Sequence, residues 1–367
     1  MRIERVDLHL LRMELRSPFE TSFGRTSTRD CILIEMFSEG IIGYGECVAA
    51  RDPGYSYETS QTAWHMLRDF LVPAVINQEL NTPQELKERL NFVRGHPMAK
   101  AGLEMSFWDL MGRQRGISLR QLIGGIKERV DVGVSIGIQH SPAELIRVVE
   151  SYLKQGYRRV KIKIKPGWDI DQTRAVRKAF PDLRLQVDAN SAYTLERATA
   201  LLPLDDLGLL LIEQPLSEDD LWDHSKLQSQ IKTPICLDES ILSARHARQA
   251  LDMDAARIIN IKVGRVGGLS EGIAIHDLCL FRGTPVWCGG MLETGVGRAA
   301  NLALATLPGF VLPGDISATD RYYIEDVTNE RFILNLDSTI DVPDRPGLGV
   351  TINPSVMTKV SVAELSL

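Results

Sequence analysis

The stretch RRVKIKIKPGWD, residues 158 to 169, decides how this chain is read. Val160, Ile162 and Ile164 alternate with Lys161, Lys163 and Lys165, so at the two-residue period of a β-strand three β-branched side chains share one face and three ammonium groups the other. On an exposed edge strand such lysines would discourage edge-to-edge association. The flanking sequence decides between that reading and a chemical one.

From residue 130 onward, short apolar stretches alternate with amphipathic ones, the rhythm of βα repetition and a parallel sheet. Eight strands are expected, at VDVGVSI, RVKIKI, LRLQVDAN, LGLLLIEQP, TPICLDES, RIINIKVG, TPVWCGG and VLPGD. Their even spacing favours a TIM-like barrel over a doubly wound open sheet. The charged residues that end the central strands are Lys163, Asp188, Glu213, Asp238 and Lys262, each 24 or 25 positions after the last. In a parallel barrel, strand ends of this kind meet on one rim, in the order Lys, Asp, Glu, Asp, Lys.

Three carboxylates in one mouth repel one another, and a divalent cation neutralises them most simply. All-oxygen donors with no histidine at a strand end favour Mg2+ over zinc. The lysines flank the carboxylates, where burial and cationic neighbours are expected to lower an ammonium pKa and make a base. Lys161, two residues before Lys163 on the same face, is expected to depress it and to bind an anionic substrate oxygen. Glu239 is expected to point away from Asp238, and Asn190 either to orient a ligand or to form a turn.

Upstream, DCILIEMFSEGIIGYGEC (30–47) reads as a hairpin turned at Glu39-Gly40, and residues 56–112 carry helical spacing. The segment RSPFETSFGRTSTRD (16–30) reads as a mobile loop over a site. Strands followed by helices make an α+β unit. A chain of 367 residues with 44% hydrophobic and 25% charged residues is globular, and its net charge of -6 and pI of about 5.7 argue against nucleic acid or an anionic membrane as partner. The charged N-terminus fits neither a signal peptide nor a spanning helix, and five scattered cysteines without a CxxC pair fit reduced thiols. A cytoplasmic protein is expected.

KIK (161–163), DAN (188–190), IEQP (212–215), LDES (237–240) and NIK (260–262) resemble the muconate-lactonizing subgroup of the enolase superfamily. GVGRAANLALATLPGF, PGDISATDRYY and SPFETSFGR resemble its o-succinylbenzoate synthase / N-acylamino acid racemase branch, and the similarity spans essentially the whole chain. The resemblance implies an α+β capping domain, residues 1–125, completed by the C-terminal tail 325–367, over a (β/α)7β barrel, residues 126–324. It implies Mg2+ on Asp188, Glu213 and Asp238, and Lys163 and Lys262 as the acid/base pair. It also implies a ring-like homo-oligomer and a small carboxylate substrate that loses its α-proton. Either a β-hydroxyl then leaves, giving o-succinylbenzoate for menaquinone synthesis, or Lys262 reprotonates the opposite face and an N-acyl or N-succinylamino acid is racemised.

Phe19, Phe23, Ser135, Gly290, Met291 and Leu292 are expected to hold the succinyl arm, with cap-to-barrel packing as the alternative for the two phenylalanines. GVGRAA fits a G-x-G-x-x-A pattern but stands six residues past its strand, too far for a dinucleotide site. Its helix start is a candidate holder of a substrate carboxylate. Dipeptide epimerase and muconate cycloisomerase chemistry share the same metal and lysine plan. A Schiff-base lysine enzyme and a barrel without catalysis are the readings from other classes.

Overall fold

The computed structural model describes residues 1–367. In the N-terminal region β1 (Arg5–Thr21), β2 (Gly24–Ser38) and β3 (Ile41–Cys47) form an antiparallel meander. Glu39 and Gly40, at φ 51° and 78°, turn the chain between β2 and β3 as the sequence implied. The helices follow: α1 (Ser60–Met66), prolonged by a π turn over Leu67–Leu71, α2 (Pro83–Leu90), α3 (Pro97–Arg115) and α4 (Leu119–Leu122). α3 lies directly on β3, because a Cβ on Gly45 would come within 2.0 Å of the Gly102 carbonyl oxygen.

Segment 16–30 is not a loop. After a register break beyond Glu14, pairing resumes at Phe19↔Thr26, Glu20↔Arg25 and Thr21↔Gly24, so the segment is the far end of the β1–β2 hairpin with its tip at Ser22-Phe23. This ribbon projects beyond the core with both faces largely exposed, and so lacks the hydrophobic alternation that marks a half-buried strand.

The first barrel stretch is divided: β4 (Arg129–Asp131) pairs below the barrel, and β5 (Val134–Ile136) enters it. Gly133 between them is required, since a Cβ there would strike the Arg159 guanidinium. The chain then alternates through α5 (Pro142–Gln155), β6 (Arg159–Lys163), α6 (Ile170–Ala179), β7 (Arg184–Asp188), α7 (Leu195–Ala198) with a 3-10 segment, and β8 (Ile212–Glu213). It continues through α8 (Leu221–Gln230), β9 (Ile235–Leu237), α9 (Ala244–Asp252), β10 (Ile258–Ile261), α10 (Val263–Val266), α11 (Leu269–Arg282), β11 (Val286–Cys288) and α12 (Gly295–Leu304). β5 to β11 form one seven-stranded parallel sheet in sequential order.

The eighth expected strand, VLPGD, is reduced to single bridges, Val286↔Phe310 on one side and Val132↔Gly314 on the other. Pro313 has no N–H to give a ladder. The ring still closes through Gly314 N to Asp131 O at 3.0 Å and Asp315 N to Cys288 O at 2.9 Å. The C-terminal tail serves both units: β12 (Thr339–Asp341) pairs with β4, and after α13 (Pro354–Val360) the last strand, β13 (Ser361–Ser366), joins the edge of β1. The architecture is an α/β, TIM-like barrel under an α+β cap.

Candidate active site

Parallel register carries the rim. Lys163 stands opposite Asp188, and Asp188 opposite Glu213, across β6, β7 and β8. Asp238 follows β9, and Lys262 follows β10 at the start of α10. All five side chains are buried. Lys163 Nζ donates to Asp188 Oδ2 and to Asn190 Oδ1, both at 2.6 Å. On the other side, Lys262 Nζ donates to Asp238 Oδ2 at 2.7 Å and to the Tyr55 hydroxyl at 3.2 Å. Arg265 also pairs with Asp238.

Lys161 lies one layer deeper, 2.7 Å from Glu213 Oε2, 2.6 Å from Asp315 Oδ2 and 3.1 Å from Asp188 Oδ2. The cations facing the barrel interior along β6 are therefore Arg159, Lys161 and Lys163. Arg159 Nη1 donates to Asp315 Oδ1 at 2.6 Å. Lys165, expected as the third inward lysine, lies past the strand end with its Nζ 3.5 Å from Glu20.

As the side chains stand, the acids set the charge balance around Lys161 and Lys262. Burial pushes Lys161 down, but Asp315, Glu213 and Asp188 together raise it above the ordinary lysine value. Lys262 is likewise raised, by Tyr55, Glu213, Glu239 and Asp188 against burial. The acid groups around these two ammoniums outweigh both burial and the cationic neighbours. Against burial, Lys163 and Lys161 hold the Asp188 carboxyl below its usual range. Burial and the Asp188 charge raise Glu213.

Glu239 does not point away. It is buried, its Oε1 accepts from Asn190 Nδ2 at 2.9 Å, and burial with the nearby Asp188 charge pushes it up to about 7. Asn190 therefore bridges Lys163 and Glu239, at φ 44°, which makes it both turn and polar link.

A cavity of about 370 Å³ opens onto this rim. Lys163, Lys262 and Asn190 line it together with Phe19, Phe23, Gly290, Met291 and Leu292. Phe23 is 47% exposed at the hairpin tip, so its role is not core packing. Ser135 lies beside Lys161 in register, with its Oγ buried and without a partner, and neither residue lines the cavity. The loop after β11 is fixed from within: Glu293 Oε2 accepts from Met291 N at 2.8 Å, and the Tyr323 hydroxyl donates to Leu292 O at 2.5 Å. The α12 start is not free for a substrate carboxylate. Glu46 of β3 accepts from Thr294 N and Gly297 N, and Asp326 accepts from Gly295 N.

Sequence reasoning missed several participants. Asn260 stands two residues before the rim lysine Lys262, Arg159 stands four before Lys163, and Asp315 ends the eighth strand candidate, so the same periodicity marks all three. Asn260 Nδ2 donates to Glu213 Oε1 at 2.7 Å. Gln214 accepts from Asp238 N at 2.9 Å, which ties β8 to β9. Tyr55 reaches in from the cap and carries no such signal.

The donor chemistry at the rim fits a hard divalent cation, since Asp188, Glu213 and Asp238 are fully buried carboxylates with no imidazole among them. As the side chains stand, Lys161, Lys163, Lys262 and Arg265 neutralise these acids, and no three acids approach closely enough to share one ion.

A capped parallel barrel with acids and lysines on its C-terminal rim defines a class of barrel enzymes. Residues 5–124 match the mandelate racemase / muconate lactonizing enzyme N-terminal domain, and residues 144–356 the enolase C-terminal domain-like family. The chain belongs to this family of the enolase superfamily, whose members depend on a divalent metal. It is 53% identical over 352 residues to the o-succinylbenzoate synthase of Geobacillus stearothermophilus, covering 96% of this chain and 94% of that one. It is 48% identical over 362 residues to the N-succinylamino acid racemase of Thermus thermophilus, covering 99% and 98%. The crystal structure of an enolase superfamily member from Listeria innocua superposes with a TM-score of 0.96 at 42% identity, covering 100% of this chain and 99% of that one. No helix is long and apolar enough to cross a membrane.

Proposed function

We propose that this protein removes the proton α to a carboxylate, and that its main reaction is dehydration of 2-succinyl-6-hydroxy-2,4-cyclohexadiene-1-carboxylate to o-succinylbenzoate. Racemisation of N-succinylamino acids is a second outcome of the same first step. The observation that carries this reading is that Lys163 and Lys262 line one cavity and are held by different carboxylates, Asp188 and Asp238. The high identity to relatives named for both reactions supports it.

Asp188, Glu213 and Asp238 would hold one Mg2+, which supplies positive charge against the charge the substrate carboxylate gains on deprotonation. Lys163 as the free amine takes the α-proton. The C–H electron pair becomes the new ring double bond, the β C–O bond breaks, and the Lys163 ammonium returns its proton to the leaving hydroxyl, which departs as water. Lys262 stays protonated and steadies the negative charge. In racemisation no group leaves, and the Lys262 ammonium gives its proton to the opposite face. Asn190, bonded to Lys163 and Glu239, fixes where the Lys163 amine stands.

The test is turnover of the cyclohexadiene carboxylate with Mg2+ by the wild type and by Lys163→Ala. Dehydration is expected to be lost with EDTA and to fall about 10²- to 10⁴-fold or more in the variant. No turnover by the wild type overturns the dehydratase reading.

A further inference from the structure

The rim of the cavity carries two arginines without partners. Arg25 follows the hairpin tip, Arg51 lies in the segment after β3, and both line the cavity that holds Lys163 and Lys262. Neighbouring arginines are engaged: Arg12 binds Asp30 through two contacts of 2.9 Å, and Arg29 donates to the Val48 carbonyl. Neither Arg25 nor Arg51 has a carboxylate within 4.0 Å, although the chain as a whole is acidic. Arg29, Asp30 and Asp52 line the cavity too, so three arginines stand against two aspartates there.

The two segments are held together and held over the barrel. A Cβ on Gly54 would come within 2.6 Å of the Phe23 ring, so the tip packs on the segment that bears Arg51. The Ser22 hydroxyl donates to Asn190 O at 3.2 Å, and Ile138 N to Glu20 O at 2.9 Å, which anchors the hairpin to the mouth. The cavity is thus lined by the carboxylate-paired ammoniums of Lys163 and Lys262, by the guanidinium groups of Arg25 and Arg51, and by Phe19, Phe23, Met291 and Leu292.

We propose that Arg25 and Arg51 form a second anion subsite, which takes the distal carboxylate of a dicarboxylate substrate whose reacting carboxylate lies at the lysine end. This rests on the proposed function and assigns the residues that read the charged end of the succinyl arm. The apolar wall takes the two methylenes between, and the guanidinium groups give the charged end the fork geometry that suits a carboxylate.

The test compares N-succinyl- and N-acetyl-L-phenylalanine, with Mg2+, in wild type, Arg25→Gln/Arg51→Gln and Arg25→Lys/Arg51→Lys. Exchange of the α-proton in D2O gives kcat/KM, and calorimetry gives binding. The glutamine variant is expected to lose about tenfold on the N-succinyl substrate and less than twofold on the N-acetyl one. The lysine variant is expected to recover most of that loss, and added salt to weaken N-succinyl binding in the wild type alone. A loss equal on both substrates, or no loss on either, overturns the subsite while exchange by the wild type upholds the function. A wild type that exchanges neither substrate, yet binds the N-succinyl one better through the arginines, overturns the racemase part of the proposed function and upholds the subsite.

Discussion

Four acids at the barrel mouth and three glutamates at the joins between elements are equally buried and satisfy that burial in opposite ways. Asp188, Glu213, Asp238 and Asp315 are met by lysine and arginine side chains. Glu46, Glu58 and Glu104 are met by backbone N–H groups at helix starts: Glu46 at α12, Glu58 at α3 through Met98 N and Ala99 N, and Glu104 at α11 through Ser270 N. Cation partners hold Asp188 and Asp315 below their usual range despite burial, whereas burial and the Asp188 charge raise Glu213 even beside Lys161. Amide partners do less against desolvation, so burial pushes Glu46 and Glu58 up to about 7 and Glu104 to about 6. The mouth thus gathers buried acids and cations in pairs. The seam joins elements, with Glu46 and Glu104 fastening the cap to two barrel helices.

The sharpest way to test this division is within the mouth. Lys262→Ala is expected to abolish racemisation of N-succinylamino acids, by about 10³-fold or more, while dehydration falls by no more than about 10²-fold, since only racemisation needs a proton donor on that face. Both rates and the unfolding midpoint are measured on the same preparation. Equal losses in the two reactions would mean that Lys262 serves only as a charge.

At the seam the expected effect is on stability. Glu46 ionises at about 7 in the folded protein against an ordinary 4.5. A raised carboxyl favours the folded state at low pH, and that contribution is lost as pH climbs from about 4.5 through about 7. The group is fully buried, and the shift corresponds to about 3 kcal/mol. Glu46→Gln stays neutral throughout, so urea unfolding at pH 5 and pH 8 is expected to show a smaller fall in stability for the variant than for the wild type. The same fall in both would place the titration elsewhere.

The division also separates what the sequence discloses from what it hides. Rim residues recur at 24 or 25 positions because each βα unit returns the chain to one end of the barrel, so Lys163, Asp188, Glu213, Asp238 and Lys262 are legible as a set. The same period-two reading reaches Arg159, Asn260 and Asp315 once the strands are taken as inward-facing. The seam acids are not legible in this way, because Glu46 and Glu104 meet helix starts 248 and 166 residues away and no local pattern marks such a pairing. The hairpin tip misled for a related reason: its strands pair through backbone alone, and its side chains carry no alternation. The eighth strand's weakness was written in Pro313.

Tyr55 is where the division is most easily broken, because it is a cap residue that joins the mouth's network. Its hydroxyl donates to Asp238 Oδ1 at 3.0 Å and accepts from Lys262 Nζ, whose ammonium lies 4.5 Å from the ring centroid. Tyr55→Phe keeps the ring and the cation–π contact and removes only the hydroxyl. A net hydrogen bond of about 1 kcal/mol corresponds to roughly a fivefold change in rate. That loss is expected in racemisation, which uses Lys262 as acid, and is expected to be smaller in dehydration, which leaves the proton work to Lys163. If the variant instead slows both reactions equally and lowers the unfolding midpoint, Tyr55 belongs with the seam glutamates, and the cap's part in this protein is to close the mouth without tuning it.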